Sequence, residues 1–201
     1  MQPFSVYVEF DAADVSPDTY EALFDALHDQ HGAVGPAPNG NLSVRLTVHA
    51  DSVIEAASLG IEHAQAAAIP HGITPDTVIG TEVITEAERD RRLLEDDECD
   101  ESTVSEPQGG DGQPAFVVYV EFDCADGSLD VYEGLLHDLT EHHGAVGPAA
   151  NGNISTRLIV HAASVIEAAT LGVKHALAAA VHHDIAPDAV IGIEVTTHLD
   201  H

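Results

Sequence analysis

The sequence predicts an α+β protein built from two copies of one unit, each an antiparallel four-stranded sheet with two helices on one face. Three observations support this fold class. Residues 4–89 align with residues 116–201 without a gap, and 54 of the 86 pairs are identical. Within each copy, segments of alternating apolar and polar residues, which are typical of strands, are interleaved with segments of helical periodicity. A segment rich in acidic residues and glycine separates the copies.

The first half of each copy reads as strand, helix and short strand. In the first copy, residues 4–11 alternate between apolar and polar side chains, which predicts a half-buried strand. Ser16 and Pro17 then supply an N-cap and a first-turn proline for a helix that continues to Leu27. Residues 33–38 favour a short edge strand, because their prolines would interrupt the hydrogen bonds of a central one.

The second half of each copy reads as strand, helix and strand. Residues 42–49 alternate again, and Ser52 with Glu55 forms a capping-box pattern at the start of a helix that Pro70 ends. Residues 78–85 are rich in β-branched side chains and predict a final strand. The order β-α-β-β-α-β is that of the ferredoxin-like arrangement, in which both helices cover one sheet face and the other face stays open. We expect the strand order 4-1-3-2 in each copy.

These elements divide the chain into a ferredoxin-like repeat at residues 1–87, an acidic, glycine-containing linker at 88–114 and a second ferredoxin-like repeat at 115–201. The linker carries six acidic residues between 95 and 101, so charge repulsion keeps it solvated. One or two helical turns are predicted before it, from residue 86 to 95. Because units of this size bury a modest core alone, we expect the two copies to meet as an intramolecular pseudo-dimer.

The charge of the chain excludes several classes of function. There are 35 acidic and six basic residues, for a formal net charge of −29. Direct binding of nucleic-acid phosphates requires clustered Lys and Arg, and an anionic membrane surface would repel the chain. The acidity suits a salt-adapted, halophilic protein, whose self-repulsion is screened by salt. An acidic interaction protein that imitates nucleic acid towards its partner is the alternative.

The sequence also favours a cytoplasmic location. No apolar run reaches the roughly 20 residues that span a bilayer, and the start of the chain lacks the basic residues of a signal peptide. The two cysteines, Cys99 and Cys124, are too few for a disulfide framework. We therefore expect a reduced cytoplasmic protein.

The alternation of the strands predicts a polar set on each open sheet face. The set is Tyr7, Glu9, Arg45, His49 and Glu82 in the first copy, and Tyr119, Glu121, Arg157, His161 and Glu194 in the second. An arginine is a planar donor for a carboxylate or phosphate, so we predict a site for a small anionic metabolite or a protein partner. Cross-strand ion pairing, or packing of the two open faces on each other, explains the same residues without a ligand.

A second candidate surface lies on the longer helix of each copy. It is a ridge formed by Leu59, His63 and Ala67, which recurs as Leu171, His175 and Ala179. Residues four apart share a helix face, and this ridge lies off the main apolar face. We interpret it as a possible protein interface, with ordinary helix filler as the alternative.

The remaining motifs do not point to catalysis, a cofactor or a metal. Fourteen histidines are present, but none forms the helical pairs that bind zinc, and neither a phosphate-binding loop nor a nucleophile elbow occurs. The leading hypothesis is therefore a non-enzymatic binding or regulatory module, with no metal and no cofactor. A small enzyme in which Glu and His of the polar set exchange protons is a further alternative, and a homo-oligomer is left open.

Overall fold

The computed structural model describes residues 1–95, 113–125 and 127–197, which form one antiparallel sheet of eight strands and five α-helices. The strands are β1 (Gln2–Phe10), β2 (Ala33–Pro36), β3 (Leu42–Ala50), β4 (Val78–Thr85), β5 (Ala115–Ala125), β6 (Ala145–Pro148), β7 (Asn153–His161) and β8 (Val190–Thr197). The helices are α1 (Pro17–Ala26), α2 (Val53–Ala68), α3 (Glu86–Glu95), α4 (Leu129–Asp138) and α5 (Val165–His182). No helix in these ranges is long and apolar enough to cross a membrane.

The strand order is β2-β3-β1-β4-β8-β5-β7-β6. Each half has the order expected from the sequence, but the expectation of two separate four-stranded sheets needs correction, because β4 and β8 pair and make the sheet continuous. Unpaired backbone groups on an edge strand favour the addition of another strand, and here each half supplies that strand to the other. The two halves therefore share one open face.

The register between β4 and β8 is symmetric. Glu82 lies opposite Glu194, its counterpart in the second half, and Thr81 and Val83 lie opposite Val195 and Ile193. Because counterparts meet at the centre of this ladder, the two halves are related by an approximate twofold rotation at the Glu82–Glu194 pair. Each position on the first half therefore has a symmetric position on the second.

Helices α1, α2, α4 and α5 enclose one continuous apolar core against a single face of the sheet. Its largest fully buried side chains include Phe4, Phe10, Phe122, Leu46 and Leu158. The helices begin as the sequence predicts: the Ser16 Oγ accepts a hydrogen bond from the Thr19 backbone, and the Ser52 Oγ accepts one from the Glu55 backbone. The alternate residues of β1 and β3 consequently point to the opposite, open face.

Helix α3 lies on that open face. It follows β4 directly, contacts β1 and β4, and approaches β8 through Arg92 and Gly192. Ile84 on the same face is buried. The helix covers the turns expected from residue 86 to 95, whereas residues 96–112 of the predicted linker lie outside the described residues.

The outer edges of the sheet, β2 and β6, are short. Each has four residues and ends in a proline, Pro36 or Pro148. Short proline-containing edges are poor templates for the addition of further strands. The sheet therefore ends at these strands.

Glycines in α2 and α5 set how closely the helices approach the sheet. A Cβ on Gly172 would lie 2.5 Å from Val118 Cγ1, and one on Gly60 would overlap the Val6 side chain. We expect Gly172→Ala to lower the free energy of unfolding by about 1–2 kcal/mol, because overpacking outweighs the roughly 1 kcal/mol gained in helix propensity. Urea denaturation monitored by circular dichroism measures the change.

Gly35→Ala is the matched control, because no atom lies within 4 Å of the added carbon. Its stability should stay within about 0.5 kcal/mol of the wild type. A Gly172→Ala protein as stable as the wild type would show that the helix does not need this close approach.

Candidate functional site

Six predicted site residues form one row across the open face of the sheet. In cross-strand order they are Arg45, Tyr7, Glu82, Glu194, Tyr119 and Arg157, and we call them the polar row. Each residue is the direct cross-strand neighbour of the next. The pairing of β4 with β8 thus brings the two predicted sets into a single surface, with the two glutamates at its centre.

Arg45, at one end of the row, donates hydrogen bonds to other residues of the protein. Its Nη2 donates to Glu82 Oε2 at 3.0 Å, and its Nη1 donates to Ser5 Oγ at 3.2 Å. Its guanidinium carbon lies 5.2 Å from the centre of the Tyr7 ring, within the range of a cation–π interaction. These contacts fix the orientation of the guanidinium.

Arg157, at the other end of the row, lacks such partners. Within the part of the chain that the structure describes, it forms no hydrogen bond and no ion pair. Val117 stands where the first half has Ser5, so the hydroxyl that orients Arg45 has no equivalent here. The guanidinium donors of Arg157 are therefore available to a ligand.

Glu9 lies two residues beyond Tyr7 on β1 and is held by asparagines of the turn between β2 and β3. Its Oε1 accepts hydrogen bonds from Nδ2 of Asn39 at 2.6 Å and from Nδ2 of Asn41 at 3.3 Å. Its Oε2 accepts a single long hydrogen bond, 3.4 Å from the Tyr7 hydroxyl. One carboxylate oxygen is thus fixed by the turn, and the other is available on the open face.

Glu121, the counterpart of Glu9, is held in the same way but has an additional partner. Its Oε1 accepts hydrogen bonds from Nδ2 of Asn151 and, at 3.4 Å, from Nδ2 of Asn153. Its Oε2 accepts a hydrogen bond from Arg92 Nη2 at 2.8 Å. The side chain of Glu121 is 1% exposed, so its charge is buried together with a cation.

Arg92 comes from α3 and joins three carboxylates. Besides Glu121, its Nη1 donates to Glu82 Oε1 at 3.0 Å and its Nε donates to Glu88 Oε1 at 2.8 Å. Burial alone would lower the pKa of Arg92, but the hydrogen bond to Glu88 and the three negative charges raise it above its ordinary value. Arg92 therefore remains a cation and anchors α3 to both halves of the sheet.

Glu88 supports this anchor from within α3. It is buried and accepts hydrogen bonds from Arg91 and Arg92, while its backbone amide donates to Thr85 Oγ1 at 3.2 Å. Burial alone would raise the pKa of Glu88, but the hydrogen bonds from the two arginines outweigh it and lower the pKa below its ordinary value. Glu88 therefore stays charged.

Glu194 is the carboxylate of the polar row that receives no cation. It forms no ion pair with any described residue, although its counterpart Glu82 binds both Arg45 and Arg92. Its side chain reaches the surface, yet the protein packed around its carboxyl group raises the pKa, and the charge of Glu82 raises it further. Arg92 and Arg157 compensate only in part.

Two cavities flank β8 on the open face. The first cavity, of about 230 Å³, is lined by Tyr7, Glu9, Arg45, Gly80, Glu82 and Glu194 among others. The second cavity, of about 640 Å³, is lined by Tyr119, Ser155, Arg157, Glu194 and Thr196 together with strand β6. The polar row therefore passes through two separate concave regions that share Glu194.

The two predicted site histidines lie far from this centre. His49 pairs with Pro3 near the end of β3, whereas Glu9 pairs with Ser43 at its beginning. Six residues of strand separate these positions, which is roughly 20 Å. His161 ends β7 in the same way, and both histidines are exposed.

The predicted interface ridge on the longer helices is largely internal. Ala67 and Ala179 are buried, and Leu59 and Leu171 pack against the core as partly buried side chains. The reason is that α2 and α5 contact each other above the continuous sheet, which the sequence did not reveal. His63 is exposed.

His175, the remaining member of the ridge, lies against His142, with ring centroids 3.8 Å apart and ring planes tilted by 38°. Burial lowers the pKa of His175, and the neighbouring His142 and Lys174 lower it further. Among the described residues, no three His, Cys, Asp or Glu side chains are arranged to hold a metal ion. Cys99 and the terminal His198 and His201 lie outside those residues.

Arg92, which binds three carboxylates of the site, was not predicted from the sequence. A signal was available: three of the six basic residues of the chain, Arg89, Arg91 and Arg92, fall within one predicted helix beside the acidic segment. Such a cluster in a strongly acidic protein indicates that the helix is bound by carboxylates elsewhere. The asparagines that hold Glu9 and Glu121 were not predicted as site residues either.

No family model matches the chain, and no curated protein matches it. Among solved structures, a microcompartments protein from Desulfitobacterium hafniense DCB is 10% identical with a TM-score of 0.29, over 100% of this chain and 98% of that chain. A candidate glycine cleavage system transcriptional repressor is 10% identical with a TM-score of 0.24, over 98% of both chains. Both TM-scores are below 0.5, so neither similarity supports a conclusion about this protein.

The two central glutamates should respond in opposite ways to the same substitution. Glu82→Gln weakens the ion pairs to Arg45 and Arg92, so we expect the free energy of unfolding to fall by about 1–2 kcal/mol at pH 7. Glu194→Gln removes a like charge beside Glu82, so we expect a gain of up to about 1 kcal/mol. Urea denaturation of both variants measures these changes.

The pH dependence provides the control. Because the folded state raises the pKa of Glu194, the wild type loses stability as the pH rises through that pKa. The advantage of Glu194→Gln is therefore complete above this pKa and disappears below the ordinary value of 4.5. Equal effects of the two variants at neutral pH would contradict the unequal pairing of the two glutamates.

Proposed function

We propose that the protein is a non-enzymatic binding module, formed by tandem duplication of a ferredoxin-like unit, that holds a small anionic ligand at Arg157 on the open sheet face. The observation that carries the proposal is the contrast between the two arginines of the polar row. Arg45 is bound by Glu82 and Ser5, whereas Arg157 lines the second cavity and forms no hydrogen bond or ion pair with the described residues, although its charge acts on Glu194.

The groups around Arg157 suit an anion. A guanidinium offers paired, coplanar donors to a carboxylate or phosphate. Burial raises the pKa of the neighbouring Tyr119, although a hydrogen bond with Ser155 opposes the rise, so its hydroxyl stays protonated and adds no negative charge at neutral pH. The cavity volume of about 640 Å³ falls in the range of roughly 300–1,000 Å³ that is usual for small-molecule sites.

The overall charge of the protein opposes an anion, but its effect at the second cavity is limited. The net charge of −29 repels an anion mainly over distances longer than the Debye length, which is about 8 Å at 0.15 M salt, so salt screens most of this repulsion. The nearest carboxylate, Glu194, has a raised pKa and is therefore easier to neutralise than an ordinary glutamate. Binding should consequently be stronger in moderate salt than at very low ionic strength.

The geometry favours binding over catalysis. An acid–base mechanism requires the two groups within hydrogen-bond reach of one substrate. Glu9 and His49 are separated by roughly 20 Å along β3, so they do not act on the same atom. Among the described residues, no His or Cys lines either cavity.

Isothermal titration with inorganic phosphate and with succinate, in 0.15 M NaCl at pH 7, tests the proposal. We expect one site per chain, with affinity reduced about tenfold or more in Arg157→Gln, which corresponds to the loss of one charge-assisted interaction. Arg45→Gln is the matched control and should bind as the wild type does, because Arg45 is occupied by Glu82.

Two results would contradict this site. One is binding that is unchanged in Arg157→Gln, which would locate the anion elsewhere. The other is equal loss in the two arginine variants, which would indicate a general effect of positive charge. Circular dichroism of both variants confirms that each remains folded.

A further inference from the structure

The first cavity is the twofold-related counterpart of a site in which the protein binds its own Arg92 side chain. Around Arg92, the carboxylates of Glu121 and Glu82 bind the two terminal nitrogens of the guanidinium at 2.8 and 3.0 Å. The approximate twofold rotation relates Glu121 to Glu9 and Glu82 to Glu194. Both of these counterparts line the first cavity.

The orientation of the carboxylate is the same in the two places. In Glu121 and in Glu9, Oε1 accepts hydrogen bonds from a pair of turn asparagines. In Glu121 the other oxygen, Oε2, binds Arg92. In Glu9 the same oxygen accepts, from the residues that the structure describes, only the hydrogen bond of the Tyr7 hydroxyl at 3.4 Å, so its position for a cationic donor is set before any ligand arrives.

We infer that the first cavity is a binding site for a guanidinium group, which Glu9 and Glu194 would hold as Glu121 and Glu82 hold the guanidinium of Arg92. This site is distinct from the anion site proposed at Arg157. The two lie on opposite sides of β8 and share Glu194 and Thr196, but the cation site depends on Glu9 and the anion site on Arg157.

The charges of the first cavity support a cation. Three carboxylates, Glu9, Glu82 and Glu194, face one arginine, Arg45, whose charge is already matched by Glu82. Two negative charges therefore remain for a ligand. A bound guanidinium would also relieve the repulsion between Glu82 and Glu194, which contributes to the raised pKa of Glu194.

The size of the cavity limits the ligand. Its volume of about 230 Å³ is below the roughly 300–1,000 Å³ of sites for drug-sized molecules. It suits a single side-chain head group, as in the occupied counterpart. The guanidinium can belong to a free small molecule or to an arginine carried by a polypeptide, and the two sources are separated by experiment.

Titration with N-acetyl-arginine amide, followed by ¹H–¹⁵N NMR, tests the inference. We expect shifts of the backbone amides of Gly80 and Thr81, which line the first cavity and not the second, with one site per chain. N-acetyl-citrulline amide has the same shape without the charge and should cause no such shifts. A Gly-Gly-Arg-Gly-Gly peptide that binds more tightly than the amide would indicate an arginine presented by a polypeptide, and equal affinity would indicate a free guanidinium ligand.

Glu9→Gln separates this site from general attraction to an acidic protein. It keeps the side-chain shape and removes one charge, so affinity for N-acetyl-arginine amide should fall about tenfold. Glu133→Gln, an exposed site on α4, removes the same charge and should leave the affinity unchanged. Equal affinity of Glu9→Gln and wild type, or equal shifts with the citrulline compound, would overturn the inference.

Removing the Arg92 side chain provides a second, independent test. Arg92→Ala empties the counterpart site between Glu121 and Glu82, so the number of N-acetyl-arginine amide sites should rise from one to two. If the variant is partly unfolded, the same compound should restore its melting temperature more than it raises that of the wild type. A single site and no restoration would show that the carboxylate pairs do not recognise the guanidinium by themselves.

Discussion

The hydrogen bonds between β4 and β8 determine where every polar group of the open face lies. They place Glu82 beside Glu194, so two carboxylates that would be distant in separate halves become neighbours. Arg45 and Arg92 both bind Glu82, and neither binds Glu194. Because of that arrangement both cavities are lined by Glu194, and the charge of Glu82 adds to the rise that burial produces in the pKa of Glu194.

The side-chain contacts on the open face differ between the two halves because a few residues differ. Val117 in place of Ser5 removes the hydroxyl that orients the arginine of the first half. Helix α3 brings Arg92 to Glu121 and not to its counterpart Glu9, so Glu121 is buried with a cation and Glu9 is half-buried. Two halves with the same strand order therefore differ in the ion pairs of their arginines and glutamates on the open face.

Much of the fold could be predicted from local patterns, because alternation in β1 and β3 and the caps of α1 and α2 depend on neighbouring residues. The same alternation placed Tyr7, Arg45 and Glu82 on one face. The joining of the two sheets could not be predicted, since it depends on backbone edges that carry no distinctive side chains. The ion pair between Arg92 and Glu121 could not be predicted either, because the two residues are 29 positions apart in the sequence.

The symmetric register at β4 and β8 has a consequence for any shorter form of this polypeptide. A chain containing one half alone would present β4 as a bare edge, with all its outward amides and carbonyls in water. Two such chains could pair β4 with β4 about a dyad and rebuild the eight-stranded sheet as a homodimer, with two identical glutamates at the axis. Covalent connection of the halves allows those two positions to acquire different neighbours, which a homodimer forbids.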